Sequence, residues 1–361
     1  MITRRAPGKL FLAGEYAVLQ PGQPAVLVAV DRYLSATVTE TSSPTVVFTS
    51  SESGDRLHCD RRNGRLLPIT QAGPRFDYVL AAARVVERLV VERKIPTRSF
   101  EMHTAADDFV AASGTKLGLG SSAAVTVAVI EALTAFYGLQ PTRTERYRLA
   151  VLATVAVNPA GSCGDVAAAT WGGWIAYRSP DRAWVRDLAA ERGIEAALRV
   201  PWPGASVRVL PPPRRVRLLT GWTGQPASTA AMSGRIRHRL ARLPATFHTD
   251  SAACVGGLAA ALADNDVTAV QHQIRRAAAV LDALDAAAEL GIRTPRLDTL
   301  CTEAARAGAA AKPSGAGGGD CGIAVVDQKR PDQAADVIRR WNAAGIQPLS
   351  LHPLPNPGDA P

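Results

Sequence analysis

Residues 116–124 read Lys-Leu-Gly-Leu-Gly-Ser-Ser-Ala-Ala, and an apolar stretch follows them as far as residue 137. Glycine has no Cβ, so the two glycines let the backbone approach a ligand closely. The two serines bring hydroxyl and N–H groups to the start of the helix that we predict over 121–137. Free N–H groups and the positive end of the helix dipole favour a phosphate there, and the lysine adds a positive charge. The segment predicts an anion-binding loop before a helix, with an ordinary serine-capped helix entry as the simpler alternative.

The same loop also fits a short dinucleotide-binding pattern, Gly118-x-Gly120-x-x-Ala123. That pattern indicates such a site between a buried strand and a helix, with an acidic residue about twenty positions further on. Here residues 106–115 are polar, and residues 138–148 read as a turn and a helix start. The context therefore argues against a nicotinamide cofactor. The chain also lacks the Gly-x-x-x-x-Gly-Lys-Ser/Thr sequence of a P-loop.

Three further segments combine small residues with charged ones. Residues 6–16 read Ala-Pro-Gly-Lys-Leu-Phe-Leu-Ala-Gly-Glu-Tyr, residues 161–169 read Gly-Ser-Cys-Gly-Asp-Val-Ala-Ala-Ala, and residues 312–322 read Lys-Pro-Ser-Gly-Ala-Gly-Gly-Gly-Asp-Cys-Gly. A glycine loop like the last one either brings backbone N–H groups against an anion or forms a flexible hairpin. Asp165 fits a helix cap as well as a functional site, and Lys9 fits a solvated strand end as well.

Length and composition limit the classes of protein that the chain can be. With 361 residues, 47% hydrophobic and 20% charged, it is long enough for about two globular domains. Proline clusters at 201–203 and 211–213 place the predicted boundary between residues 1–205 and residues 206–361. No apolar run reaches the roughly 18 residues of a membrane span, and the N-terminus lacks a signal-peptide pattern, so we expect a soluble, cytoplasmic protein.

The net charge of +9 does not by itself predict a nucleic-acid partner. Basic residues are scattered, and aromatic residues make up 5% of the chain, too few for a base-stacking surface. Small anionic substrates explain the charge equally well. Five of the 41 basic residues are lysines, and three of these, Lys9, Lys116 and Lys312, lie in the glycine-rich segments. The five cysteines have long spacings and no Cys-x-x-Cys pair, which predicts free thiols.

Hydrophobic periodicity predicts strands and helices in both halves, which favours the α+β class for each. We predict strands over Lys9–Leu19, Ala25–Val38, Thr45–Thr49, Trp171–Tyr177 and Cys321–Val326. We predict helices over 76–92, 121–137, 143–155, 251–263, 266–289, 296–307 and 331–343.

Together the segments resemble the three sequence motifs of the GHMP kinases, a superfamily of small-molecule kinases. The sequences PGKLFLAGEYAVL, KLGLGSSAA and KPSGAGGGDCGIAV lie in the expected order between residues 6 and 326. Tyr16 stands where mevalonate kinases more often carry a histidine. The segments GSCGD, TWGGWIAY and GWTGQPAST are similar to those of the bacterial phosphomevalonate kinases.

The resemblance implies a GHMP kinase fold, with an N-terminal domain like the second domain of ribosomal protein S5 and a C-terminal ferredoxin-like domain. It implies an active site between the domains, ATP and Mg²⁺ as cofactors, and phosphomevalonate as the acceptor. Mevalonate kinase and diphosphomevalonate decarboxylase activities are the alternatives within the superfamily. A sensor without turnover is a further alternative. We expect a monomer or a homodimer, with no nucleic-acid or membrane partner.

The resemblance also implies roles for individual residues. Lys9 and Asp165 would be catalytic, with Lys9 at the transferred phosphoryl group and Asp165 beside it. Ser122 would be the protein ligand of Mg²⁺. The ATP phosphates would be held by Lys116, Gly118, Leu119, Gly120, Ser121, Ser122 and Ala123. The acceptor would be held by Lys9, Glu15, Tyr16, Ser162, Gly164, Asp165, Ser228, Ser314, Gly315 and Gly317.

Overall fold

The structure, a computed structural model, describes residues 1–71, 73–111, 113–227, 232, 239 and 243–355. The first half of the chain builds one sheet, whose strands are β1 (Ile2–Ala13), β2 (Pro24–Glu40), β3 (Val46–Ser50), β4 (Ser53–Arg62), β5 (Arg65–Pro68), β6 (Phe100–Ala105), β7 (Trp174–Arg178) and β8 (Ser206–Leu210). Their order is β5-β4-β3-β6-β2-β7-β8, with β1 paired to β2. The β3–β6 pair is parallel, and the other pairs are antiparallel.

The β1–β2 hairpin is the buried centre of this sheet. Residues 6–13 of β1 and 25–30 of β2 are buried at successive positions. Successive residues of a strand point to opposite faces, so both faces of the hairpin are covered. The even burial follows from the sequence, because both stretches consist almost entirely of apolar and small residues.

The turn of this hairpin differs from the prediction. The strand predicted over Lys9–Leu19 ends at Ala13, because Gly14 adopts φ +94° and a short 3₁₀ helix, Ala17–Leu19, follows. A Cβ on Gly14 would lie 2.5 Å from the carbonyl oxygen of Pro24. The chain therefore turns at a position that accepts glycine alone.

Helices of the first half cover the hairpin. They are α1 (Asp77–Glu92), α2 (Ser121–Phe136), α3 (Arg143–Val157), α4 (Gly164–Trp171) and α5 (Arg182–Arg199). α2 and α4 pack on β1 and β2, and α1 and α3 pack on α2. The predictions over 76–92, 121–137 and 143–155 are confirmed. α3 begins at a capping box in which Thr142 and Glu145 each accept a backbone N–H.

The second half is built on a four-stranded antiparallel sheet. Its strands are β9 (Val216–Trp222), β10 (Ala310–Pro313), β11 (Cys321–Asp327) and β12 (Gln347–Leu349), in the order β10-β11-β9-β12. Its helices are α6 (Phe247–Ala263), α7 (Val267–Ala288), α8 (Pro295–Arg306) and α9 (Pro331–Ala343). The chain order of strand, helices, two strands, helix and strand is the ferredoxin-like β-α-β-β-α-β arrangement. The α+β prediction and the four helices predicted here are confirmed.

Several elements have no counterpart in the prediction. They are β4, β5, β6, α5, β8, β9, β10 and β12. Exposed charged residues interrupt the apolar pattern of β4, and Gly193, with φ +88°, interrupts α5. The strand predicted over Trp171–Tyr177 begins later, because α4 ends at Trp171 and two glycines with positive φ precede β7.

Both ends of the second half are attached to the first sheet. β8 follows the predicted boundary at residue 205 and pairs with β7. Near the C-terminus, the Leu354 N–H donates to the Ala29 carbonyl at 2.9 Å, and the Asp31 N–H donates to the His352 carbonyl at 3.1 Å. The first sheet therefore extends through Leu210, and the division after residue 205 stays a prediction.

Two expectations from composition can be compared with the described residues. All five cysteines are free thiols, as predicted. Within the described ranges, no helix combines the length and the apolar character that crossing a membrane requires.

A buried ion pair joins the two halves. Lys312 in β10 is fully buried, and its Nζ donates to Oε1 of Glu15 and to the Pro313 carbonyl at 2.6 Å. Beside this pair, Ser314 donates to the Phe11 carbonyl at 3.0 Å and accepts the Phe11 N–H at 2.9 Å. The glycine-rich segment 312–322 is thus fixed to segment 6–16 by an ion pair and by hydrogen bonds.

We predict that Lys312→Met lowers the free energy of unfolding by about 3–5 kcal/mol, because it leaves the Glu15 carboxylate buried without its counter-charge. Urea unfolding followed by circular dichroism measures this loss. The double variant with Glu15→Gln should be more stable than Lys312→Met alone, since the uncompensated charge is then absent.

Lys329→Met is the matched control, because Lys329 is exposed outside the glycine-rich segments. It should change the free energy of unfolding by less than about 0.5 kcal/mol. Equal urea midpoints for Lys312→Met and Lys329→Met would contradict a stabilising role for the buried pair.

Candidate active site

Two cavities meet at the start of α2. The first, which we call the Lys9 cavity, has a volume of about 270 Å³ and is lined by residues of both halves. The second, the Lys116 cavity, has a volume of about 810 Å³ and is lined by first-half residues. Tyr78, Ser121 and Ser122 belong to the walls of both cavities. Two ligands bound in these cavities would therefore face each other at the start of this helix.

The loop before α2 is shaped by two left-handed glycines. Gly118 has φ +74° and Gly120 has φ +83°, values that L side chains rarely adopt. The N–H groups of Ala123 and Ala124 donate to the Gly120 carbonyl at 3.1 Å, and no side chain caps the helix. The earliest N–H groups of a helix have no partner within it, so this helix start offers donors where the cavities meet.

Lys9 and Asp165 both lie close to Gly120. A Cβ added to Gly120 would be 3.0 Å from Cε of Lys9 and 3.6 Å from Cβ of Asp165. All three residues line the Lys9 cavity. The structure thus brings together the two predicted catalytic residues and the phosphate loop, which are far apart in sequence.

The ammonium group of Lys9 lies in the cavity and forms no salt bridge with a carboxylate of the described residues. The backbone N–H of Lys9 donates to the Leu119 carbonyl at 3.0 Å. The Nζ atom of its side chain lies 5.6 Å from the centre of the Phe11 ring. In the described part of the chain, the lysine salt bridges are those of Lys116 and Lys312. The charge of Lys9 is therefore available to an anionic ligand.

Asp165 is not the cap of its helix. The N-cap of α4 is Cys163, which has no side-chain capping bond. The carboxylate of Asp165 accepts the Val166 N–H at 3.0 Å and faces the cavity. Burial raises the pKa of the Cys163 thiol to about 12, so the thiol stays protonated at neutral pH. A protonated thiol is a poor nucleophile, so Cys163 contributes no reactive group to the cavity.

Most of the other predicted residues also line the Lys9 cavity. From the predicted phosphate loop they are Gly118, Gly120, Ser121, Ser122 and Ala123, and from the predicted acceptor site they are Glu15, Tyr16, Ser162, Ser314 and Gly315. The Tyr16 hydroxyl donates to the Ala316 carbonyl at 2.5 Å, which fixes the tyrosine ring against segment 312–322. The Glu15 carboxylate is already engaged by Lys312.

Three predicted residues do not reach the cavity wall. Leu119 is buried, and its carbonyl accepts the Lys9 N–H. At Gly164, an added Cβ would lie 3.4 Å from the Tyr177 ring, and at Gly317 it would lie 2.5 Å from the Ile292 carbonyl. These three residues pack against other parts of the protein behind the cavity wall, so they present no surface to a ligand.

Two more predicted residues lie elsewhere. Lys116 lines the second cavity, where its Nζ is 3.2 Å from Oε1 of Glu52. Its side chain is half-exposed, so this ion pair can give way to a phosphate with little loss of stability. Ser228 lies outside the described residues.

Sequence reasoning missed four polar side chains of the Lys9 cavity. They are Tyr78, Thr154, Asn158 and Asp320. Asp320 stands in the quoted segment 312–322 and could have been singled out as the acidic residue of a glycine loop. The other three lie on helices or their ends, where periodicity identifies a buried face but not a cavity within it.

These missed residues have unusual environments. Thr154 has a buried hydroxyl oxygen that finds no hydrogen-bond partner among the residues that the structure describes. Burial, together with the charge of Asp165, raises the pKa of Tyr78. Burial raises the pKa of Asp320, while the Ala227 N–H and the Lys9 charge oppose that change. Displaced pKa values and an orphaned hydroxyl at one cavity are typical of a functional site.

Comparisons with known proteins agree with this arrangement. The family model described as GHMP kinases N terminal domain matches residues 77–173, and the one described as GHMP kinases C terminal matches residues 258–347. The chain is 46% identical to a phosphomevalonate kinase from Streptomyces sp. (strain CL190), over 98% of this chain and 97% of the relative. It is 28% identical to a mevalonate kinase from Methanothermobacter thermautotrophicus, over 94% of each chain.

A solved structure shares the fold over the full length. The Streptococcus pneumoniae phosphomevalonate kinase in complex with phosphomevalonate and AMPPNP has a TM-score of 0.86 at 27% identity, covering 98% of this chain and 100% of that chain. Sequence motifs, fold and cavity geometry thus agree along both halves, and the chain belongs to the GHMP kinase family.

Proposed function

We propose that the chain transfers the γ-phosphoryl group of ATP to (R)-5-phosphomevalonate and forms mevalonate 5-diphosphate and ADP. The observation that carries this proposal is the 46% identity to a phosphomevalonate kinase, against 28% to a mevalonate kinase. The solved complex with phosphomevalonate and AMPPNP supports the same pair of substrates. The product is an intermediate on the way to isopentenyl diphosphate.

The two cavities provide a place for each substrate. The larger Lys116 cavity takes the nucleotide, with its phosphates at the serine end of α2. The smaller Lys9 cavity takes phosphomevalonate, with its phosphate towards Lys9. The transferred group then moves past the wall that Tyr78, Ser121 and Ser122 share.

The main physical problem in this reaction is repulsion between two polyanions. The second pKa of a phosphate monoester is about 6, so the acceptor is largely a dianion at pH 7. It needs no base to become a nucleophile, whereas an alcohol would. Positive charge where the two substrates meet therefore lowers the barrier most, and the Lys9 ammonium is placed to provide it.

Asp165 has a positioning role in this proposal. Its carboxylate lies near Lys9 across Gly120 and can orient both the ammonium and the acceptor. Acting as a base would be secondary, because the acceptor has already lost its proton. Tyr16, Ser162 and Ser314 add hydroxyl groups around the acceptor.

The residues present fit a Mg²⁺ ion that accompanies ATP. Ser122, Thr154 and Asp165 supply oxygen donors at one cavity, and within the described ranges the Thr154 hydroxyl oxygen forms no hydrogen bond. Mg²⁺ prefers oxygen ligands and usually shares them with substrate phosphates and water. When bound, the ion would neutralise charge on the ATP phosphates, with Ser122 as its predicted protein ligand.

The acceptor can be tested directly. We expect purified protein to form ADP from ATP when phosphomevalonate is added, and to form little with mevalonate or with mevalonate 5-diphosphate. Coupled detection of ADP and of released CO₂ measures both outcomes. Faster turnover with mevalonate, or CO₂ release from the diphosphate, would replace the proposal with one of the two alternatives.

The charge mechanism predicts unequal effects of two substitutions. Lys9→Met should lower kcat about 10³-fold, because it removes the positive charge at the transferred group. Asp165→Asn should lower kcat by roughly tenfold, less than the 10²–10⁴-fold that loss of a general base usually causes. Steady-state kinetics with phosphomevalonate measure both values.

The exposed Lys94 provides the control, and Lys94→Met should leave kcat unchanged. All three variants should be compared by circular dichroism, so that misfolding is not mistaken for lost catalysis. A much larger kcat loss for Asp165→Asn than for Lys9→Met would assign the main role to Asp165 as a base.

A further inference from the structure

Asp320 is a carboxylate in a cavity that otherwise suits anions. It follows the glycine loop at 315–319, comes directly before β11 and lines the Lys9 cavity. Its φ of +50° is a left-handed value, which aspartate and asparagine tolerate better than most residues. A negative charge at this place repels phosphate groups, so its presence needs a compensating role.

Backbone and side chain of Asp320 both bind the segment after β9. Its N–H donates to the Gln225 carbonyl at 2.6 Å, and its carbonyl accepts the Thr223 N–H at 2.9 Å. Its side-chain oxygen Oδ1 accepts the Ala227 N–H at 3.0 Å. These bonds fix one carboxylate oxygen and leave Oδ2 to face the first half of the molecule.

Oδ2 lies directly against the phosphate loop. A Cβ added to Gly118 would be 2.5 Å from Oδ2 of Asp320, so the loop accepts this carboxylate because residue 118 is glycine. Asp165 approaches the same loop at Gly120, where Lys9 also lies. Lys9 and two carboxylates, one from each half of the molecule, thus line the same cavity around this loop.

The electrostatic coupling to Lys9 agrees with this geometry. Burial raises the pKa of Asp320, and the Lys9 ammonium acts in the opposite direction by favouring the charged carboxylate. Coulomb's law makes this influence mutual, so the carboxylate also attracts the ammonium. Neutralising Asp320 would remove the attraction of its carboxylate for the Lys9 ammonium. It would also remove the repulsion between this carboxylate and bound phosphates.

We propose that Asp320 is a positioning residue that holds the Lys9 ammonium towards the phosphate loop, at the expense of weaker binding of both anionic substrates. The inference rests on the proposed function, because it uses phosphoryl transfer as its readout. On this proposal, the Asp320 charge increases turnover but weakens substrate binding. If Asp320 only supported the loop, its substitution would weaken both binding and turnover.

The test is Asp320→Asn, which keeps the size, the acceptor oxygen and the tolerance of positive φ, and removes the charge. We expect kcat to fall about 10- to 100-fold and KM for ATP and phosphomevalonate to fall about two- to fivefold, the pattern of relieved ground-state repulsion. The thermal midpoint should stay unchanged. In a Lys9→Met background, the same substitution should cause no further loss of kcat.

Asp327→Asn is the matched control, since Asp327 ends the same strand, about 20 Å along β11, and pairs with Arg215. It should leave kcat and both KM values unchanged. For Asp320→Asn, a raised KM, an unchanged kcat, a full additional loss in the Lys9→Met background or a strongly lowered thermal midpoint would each overturn the proposal. If the unsubstituted protein does not turn over phosphomevalonate, the proposed function itself fails.

Discussion

The buried ion pair between Glu15 and Lys312 is the constraint on which the rest of the site depends. A charged pair without access to water is costly unless both partners are held close and further hydrogen bonds satisfy them. Here Glu15, which follows the end of β1, must meet Lys312, which begins segment 312–322. Ser314 adds hydrogen bonds to Phe11 at the same junction. The Lys9 cavity is lined from both sides of this junction, so it forms when the two halves are joined.

Close approach of backbones is the second requirement. Two carboxylates and one ammonium group reach the loop before α2 because residues 118 and 120 have no side chains. Any other residue would push Asp320 away at one position and Lys9 at the other. The glycines thus admit the charged groups that surround the loop, and in the proposed function they also expose backbone N–H groups to a phosphate.

Much of the fold could be predicted from sequence, and the failures have physical reasons. Helices with regular apolar spacing, such as α1 and α2, were predicted almost to the residue. Strands with a charged outer face, such as β4, were missed because exposed charged residues interrupt their apolar pattern, although β4 pairs with its sequence neighbours β3 and β5. The motifs identified Lys9, Asp165 and the phosphate loop, but not the burial of Leu119, Gly164 and Gly317. The environment of Asp320 depends on contacts with both halves, and no local pattern encodes such contacts.

The return of the chain end to the first sheet limits how the molecule can move. The second half leaves that sheet after β8 and is bound to it again through His352 and Leu354 beside β2. Between these two attachments, the Lys312–Glu15 pair and the Ser314–Phe11 hydrogen bonds also join the halves, and apolar residues of both halves share one buried core. Swinging the second half away would expose this core and the buried charges to water, at a large cost in free energy. We therefore expect the two halves to keep their relative position while the substrates bind.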